Sequence, residues 1–382
     1  MKSKHLIILA CVVIILGIIY AVQRKDSGNT APSGSRELVP ASFSSDGLAD
    51  IKFKGKDGAV TLKQTPSGWV VAERHDYPAD TAKLREFFIK LCDARIAQEL
   101  PLTAQQAEEL SLTPEKAVTV TMSAGDAKDA HTFLFGSEHT RGGSAVANSP
   151  YGGMMSGGGR YIRLADGRNA LVQETFPEVG TVAADWLNKE FFRISDLRHA
   201  TLKRGGKVEW ELETRDGSLA LKGAIPANRE ADDAKISSLK NAYSWIRFTD
   251  VADPKAAPAK TGMDMAPELT LTDSDDLVYT IRPGAGADGK YFLRVSVAWK
   301  GAAKRTPPAG EKAEDKAKLD AEFAKTVKER QEKAARLEKM LAPWTFEVGK
   351  DVYESSTPSR DAFLKDKPKK AEESAAPAAS GK

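Results

Sequence analysis

The chain has 382 residues, 41% hydrophobic and 29% charged, enough for two domains with cores of their own. Its net charge of +3 is small against 56 basic and 53 acidic residues. These are interspersed, with no basic stripe carrying aromatics, so no nucleic-acid partner is implied. The two cysteines, Cys11 and Cys92, read as small buried hydrophobes and not as a disulfide or metal pair, which leaves the compartment open.

Lys2 and Lys4 lie in a short tail, residues 1–5, ahead of residues 6–22, a run of 17 without a charge. As a helix this run is ~26 Å long, near the short end of what spans a bilayer. Tyr20, Arg24 and Lys25 extend it by sitting at the interface. A cleaved signal peptide and a lipoprotein signal are the alternatives. The run ends Ile19-Tyr20-Ala21-Val22 without a small-x-small site, and it continues eleven residues past the lipobox-like Ile8-Leu9-Ala10-Cys11. Residues 6–22 are therefore read as an uncleaved transmembrane signal anchor, with the tail cytoplasmic and the body outside. Residues 23–40, polar with Gly, Ser and Pro, are a flexible linker.

The first folded unit, residues 41–190, opens with strand-like runs at 51–53, 60–62 and 69–71. Asp57-Gly58 and Pro66-Ser67-Gly68 are turn signals between them, which predicts an antiparallel meander. Pro78 stops the last of these, and Asp80 or Thr81 caps a helix reaching about residue 96. Its apolar face is Leu84, Phe87, Phe88, Leu91 and Ile96. Thr103-x-x-Gln106 is a capping box opening a short helix to Leu110. Strands follow at 118–122, 131–135, 161–164 and 170–172, with a Gly-rich loop at 142–159. Pro177 and a helical stretch through Trp186-Leu187 close the unit.

The second unit, residues 191–363, repeats this order. Runs at 200–202, 208–212 and 219–221 make a meander. Pro226-Ala227-Asn228 then precedes a helix near 233–248, with Ile236, Leu239, Tyr243 and Ile246 on one face. A Pro/Ala linker at 253–261 leads to strands at 269–271, 278–281, 291–295 and 344–348. Between the last two lies an insertion, 301–343, in which Ala313–Leu341 is predicted as one helix of ~43 Å. Leu319, Phe323, Val327, Ala334, Leu337 and Leu341 give it a narrow apolar seam. Glu314–Lys318, Glu329–Lys333 and Glu332–Arg336 have the favourable i, i+4 order. Residues 364–382, rich in Lys, Ala and Pro, read as a disordered tail.

No residue is assigned to catalysis, to a cofactor or to a metal. The Gly-rich loop lacks the G-x-x-x-x-G-K-[ST] spacing of a phosphate cradle, and Met154 stands where a nucleophile elbow at Ser156 needs Gly. It reads as a hairpin loop, with Tyr151, Met154 and Met155 as candidate contacts to a partner or lipid. His5, His75, His131, His139 and His199 are scattered without paired-ligand spacing. Trp69, Trp186, Trp210, Trp245, Trp299 and Trp344 read as core, not as a sugar-stacking set. The inserted helix is the best functional candidate, because a two-in-seven seam is marginal alone and needs cover. Leu319, Phe323, Val327, Leu337 and Leu341 are its candidate partner contacts. The cover is its own domain, a second protein, or a second copy joined through 313–341; in the latter two cases removing 303–342 leaves the fold standing.

Tyr77-Pro78-Ala79-Asp80 before a helix, Leu112-x-Pro114 or Gly262-Met263 with Pro267 before a strand, Asp185-Trp186-Leu187-Asn188-Lys189, and a charged helix closed by Trp344-Thr345-Phe346 together resemble domain-of-unknown-function family 4340. The resemblance runs from about residue 48 to residue 364; where the family often has Gly, this chain has Ser111. Members are typically single-span proteins encoded beside gliding-motility-type ABC transporter components and auxiliary to them. The resemblance implies an extracytoplasmic accessory subunit, and no catalytic residue carries over.

The expected fold is α+β: two tandem, related antiparallel sheet-plus-helix units after an N-terminal transmembrane helix, with a long helical insertion in the second. The expected function is a non-catalytic accessory or scaffold of an ABC-type envelope complex. It needs no cofactor and spans the cell inner membrane once, with its body periplasmic. A cell-envelope ligand-binding module, for glycan or lipid, is the alternative, and a hydrolase the third reading. A groove lined by exposed Trp favours the binding module; a buried Ser/His/Asp cluster favours the hydrolase.

Overall fold

The computed structural model describes residues 37–39, 45, 47–125, 130–139, 158–308 and 310–367, and the chain divides between Trp186 and Leu187 into two units. The expected anchor at 6–22, most of the linker, and Cys11 lie outside the described residues. Among those described, no helix is long and apolar enough to cross a membrane.

In the first unit, β1 (Asp50–Gly55) and β2 (Gly58–Thr65) form a hairpin closed by Lys56-Asp57. β3 (Gly68–Val71) and β4 (Tyr77–Pro78) extend the meander. Ile51, Phe53, Val60, Leu62 and Val71 alternate to the buried face of these strands. Helix α1 (Thr81–Asp93) starts where the Asp80 carboxylate accepts from the N–H groups of Ala82 and Lys83, both at 3.0 Å. It buries Leu84, Phe87 and Leu91. The helix ends at Asp93 and does not reach residue 96. Ala94 is extended, and Ile96 opens β5 (Ile96–Leu100), which pairs with β9 (Asn169–Val172). A partner more than seventy residues away drew Ile96 into a sheet, so the apolar period alone ran the helix too far.

The predicted capping box is present: Thr103 and Gln106 bond reciprocally at the start of α2 (Ala104–Glu109). That helix closes in a Schellman motif, Ser111 N–H to Glu108 O at 3.1 Å and Leu112 N–H to Ala107 O at 2.7 Å. Ser111 takes the left-handed conformation, φ 57°, that the motif asks of its cap. This is why Gly suits that position, and Ser holds it with strain. β6 (Val118–Ser123), β7 (His131–His139), β8 (Gly159–Arg163) and β9 complete a nine-stranded antiparallel sheet of order β4-β3-β2-β1-β6-β7-β8-β9-β5. Residues 183–186 are a 3₁₀ turn.

The second unit is built from β10 (Leu197–Arg204), β11 (Lys207–Arg215), β12 (Ser218–Leu221), β13 (Arg229–Ala231), α3 (Asp233–Ala242), β14 (Asp250–Val251), α4 (Pro258–Thr261), β15 (Glu268–Asp273), β16 (Leu277–Ala285), β17 (Tyr291–Trp299), α5 (Ala313–Leu341), β18 (Thr345–Val348), α6 (Lys350–Ser356) and β19 (Leu364–Asp366). Its main sheet is antiparallel in the order β12-β11-β10-β15-β16-β17-β18-β14. Counted from the start of each unit, this is the order of the first sheet without its β4 edge.

The Pro/Ala linker contains α4, capped by Gly262 at φ 68°. A side chain at Gly284 on β16 would collide with the Thr261 carbonyl at the end of α4. One at Gly136 on β7 would collide with the Leu110 carbonyl at the end of α2. α3 stops at Ala242, not near 248; Tyr243 caps it, and its hydroxyl lies 2.8 Å from Ser356 Oγ in the core. Leu364–Asp366, expected in the disordered tail, pairs with β13 as β19, and residues 368–382 lie outside the described residues.

Candidate functional site

A cavity of about 760 Å³ opens in the second unit where three segments converge. Two of them alternate in and out. In the segment before β10, Phe192 and Ile194 are buried while Phe191 is half-buried and Arg193 exposed. After α3, Ile246 and Phe248 are buried while Arg247 is exposed and Trp245 is 70% exposed. The third segment is the C-terminal half of α5, which contributes Lys333, Arg336 and Leu337. Tyr279 on β16 also lines the cavity.

The wall is aromatic. Phe191 packs at 4.8 Å on Phe346 and 5.2 Å on Phe248, and the Arg193 guanidinium lies 4.9 Å over the Trp245 ring. Lys189 sits 4.6 Å over Phe248 and donates to the Thr249 carbonyl at 2.6 Å. The charge is one-sided: Lys189, Arg193, Arg247, Lys333 and Arg336 line the cavity against a single carboxylate, Glu190. Arg247 and Arg336 make no hydrogen bond or ion pair among the described residues.

The helix that walls the cavity is held by its own unit. Val327, Ala334 and Leu341 are buried, with Leu341 fully so, and Glu338 accepts from the Val297 N–H of β17 at 2.5 Å. Lys333 Nζ lies 3.1 Å from Asp275 Oδ2, and Arg330 lies 3.1 Å from Oδ1 of the same carboxylate. Asp275 thus takes Lys333 away from Glu329, which pairs instead with Lys325, and Glu332 pairs with Lys328. Arg336, expected to bind Glu332, is left facing the cavity. Closer to the start of α5, Arg305 binds Glu311 at 2.6 and 2.8 Å and lies 2.9 Å from Asp320, tying the approaching chain to the helix.

The hydrogen bond from Lys333, with Arg330 beside it, holds the Asp275 carboxyl below the usual carboxylate range. A folded value below the unfolded ~3.9 contributes stability above about pH 4, lost as the pH falls through the folded value. Asp275→Asn is therefore expected to lower stability by about 1 kcal/mol or less at neutral pH, since the pair is partly exposed. The gap to the parent should narrow as the pH falls below about 5 and close once the pH lies below the folded value. Thermal melts of both proteins across that range check this; a pH-independent gap contradicts it. Neighbouring Asp273, whose carboxyl burial pushes up, is raised further by the Asp275 charge, so the variant eases that part of its shift.

The predicted seam residues therefore divide. Leu341 and Val327 face their own sheet and are unavailable to a partner, and Leu337 lies half-buried on the cavity wall. Leu319 is 39% exposed and Phe323 half-buried, both nearer the start of the helix. Tyr151, Met154 and Met155 lie outside the described residues. Trp186 and Trp210 are core as expected, but Trp245 is not. Alternation from Trp245 to Phe248 is the signal that sets Trp245 and Arg247 on one outward side. Cys92, expected to be buried, is exposed, because it follows Leu91 and falls off the apolar stripe of α1. It lines a second groove of about 650 Å³ in the first unit, with Trp69, Phe88 and Ile89. Residual burial pushes its thiol up, away from the reactive thiolate. Among the described residues no group of three His, Cys, Asp or Glu is arranged to hold a metal ion.

Residues 69–150 match DUF4340, a domain of unknown function. The DUF4340 match covers the chain from β3 through β7 and beyond, all in the first unit. No curated protein and no solved structure matches. The cationic cavity lies outside the DUF4340 match.

Proposed function

We propose that this chain is a membrane-anchored accessory or scaffold subunit of an ABC-type, gliding-motility-like envelope complex. In this reading it is non-catalytic, with a single span in the cell inner membrane and a periplasmic body. The uncharged run at 6–22 and the DUF4340 match support it, and α5 carries it. The C-terminal half of that helix is spent on the fold. Its N-terminal half keeps Leu319 exposed and Phe323 half-buried among solvated charges, as suits an arm that meets a second protein. The expected occupant is a transporter component, and self-association is the other outcome of the test.

We further infer that the two units are tandem relatives. Apart from the β4 edge their strand orders coincide, and each carries a short helix with a left-handed cap, Ser111 or Gly262, whose preceding carbonyl, Leu110 or Thr261, packs on a strand glycine, Gly136 or Gly284.

Leu319→Glu combined with Phe323→Glu is expected to cut co-purification of transporter components from membranes severalfold. The protein itself should stay in the membrane fraction and keep its melting temperature within about 2 °C. Undiminished co-purification, or a soluble mature form beginning after Val22, sinks the reading. The alternative of an envelope ligand-binding module gains from one observation: Trp245 is exposed at the mouth of a cavity.

A further inference from the structure

We propose that the cavity of the second unit binds an anionic amphiphile, with its apolar part against Trp245, Phe191 and Leu337 and its phosphate or carboxylate between Arg247 and Arg336. The volume, about 760 Å³, falls within the ~300–1,000 Å³ of small-molecule sites. Its charge is not a by-product of composition, because the whole chain carries only +3 while the lining carries five cations and one carboxylate. Of these cations, Lys333 is spent on Asp275 and Arg193 on the Trp245 ring. Arg247 and Arg336 have no counter-ion among the described residues, and two unpaired guanidiniums lining one cavity favour an anion that joins them.

A neutral glycan is the poorer fit. Sugar hydroxyls call for carboxylates and amides beside the stacking ring, and the lining offers only Glu190. An apolar ligand without charge leaves both arginines unanswered. Phosphate alone leaves the half-buried Phe191 and Leu337 and the exposed Trp245 uncovered. A molecule with both an apolar and an anionic part satisfies both. The ligand is either an anionic lipid whose head and upper chain enter the cavity, or a soluble aryl or acyl phosphate or carboxylate; the chemistry is shared.

The test uses the full chain in phosphatidylcholine nanodiscs, titrated with 1-naphthyl phosphate and followed by tryptophan fluorescence and calorimetry. Saturable binding is expected, with inorganic phosphate and 1-naphthyl glucoside each binding much more weakly. Arg247→Gln with Arg336→Gln should weaken binding about 10–100-fold, the range of hydrogen bonds to a charged group. Trp245→Ala should weaken it and remove most of the fluorescence change. Lys325→Gln, elsewhere on α5, should change nothing. All four side chains are exposed, so the variants should retain the parent's circular dichroism.

Phosphatidylglycerol discs that compete with the probe identify a lipid head as the natural anion. Discs that do not compete identify a soluble ligand. No saturable binding up to about 10 mM overturns the proposal. So does equal affinity for the glucoside, or binding indifferent to the arginine variants. Because the site excludes Leu319 and Phe323, its failure leaves the assembly reading standing, and the converse holds.

Discussion

Trp186→Ala should cost the first unit about 3–5 kcal/mol, the range for deleting a fully buried Trp. Trp186 has no solvent exposure and stacks on Phe53 at 4.6 Å. Phe53 in turn meets Phe87, and Phe87 meets Phe135 and Phe176, so the indole anchors one aromatic chain through the unit. Its Nε1–H donates to the Gly180 carbonyl at 3.0 Å, and the Lys83 ammonium lies 4.4 Å over the ring. The Trp186 carbonyl also accepts from Asp80 N–H, the residue that caps α1, at 2.8 Å. Removing the side chain opens a cavity and takes away the Lys83 contact in the first turn of the covering helix, while the backbone bond to Asp80 is kept. Against a total of about 5–15 kcal/mol for a domain, such a loss shifts the unfolding midpoint far down. Urea unfolding by circular dichroism measures it, with Trp186→Phe expected to retain part of the loss. A cost under about 1 kcal/mol would mean the ring is not the anchor described.

Leu341→Ala should cost the second unit about 2–5 kcal/mol, while Leu319→Ala should change stability by no more than about 0.5 kcal/mol. Both leucines belong to one helix and one seam. Leu341 is fully buried beside the strand that follows, whereas Leu319 is 39% exposed. The sequence alone suggested that 303–342 could be replaced by a short turn with little loss. The structure corrects this for the C-terminal half: Val327, Ala334 and Leu341 are buried, and Glu338, Lys333 and Arg330 bond to β17 and to the β15–β16 turn. Removing the whole segment therefore uncovers a sheet face and strands Asp275 without its cations. Melts of the two single variants separate the halves; equal costs would mean that the helix acts as one undivided element.

What the sequence determined by itself is local. The alternation at Ile51, Phe53, Val60 and Leu62, the Thr103/Gln106 capping box, the Asp80 cap and the bounds of α5 all depend on residues within a few positions of one another. Short-range hydrogen bonding and periodicity are enough to fix them. Only the tertiary structure decided which apolar positions stay dry. Ile96 left its helix because Val172 offered a strand partner, and Leu364 left its tail because Ala231 did. Arg336 lines a cavity while Glu332, its expected partner, pairs with Lys328, and Asp275, more than fifty residues before Lys333, holds Lys333. Trp245 stayed outside because Ile246 and Phe248 took the inward positions beside it. The candidate site is made of these long-range choices: three segments far apart in the chain bring their charges and rings together, and no periodicity within any one of them specifies that meeting.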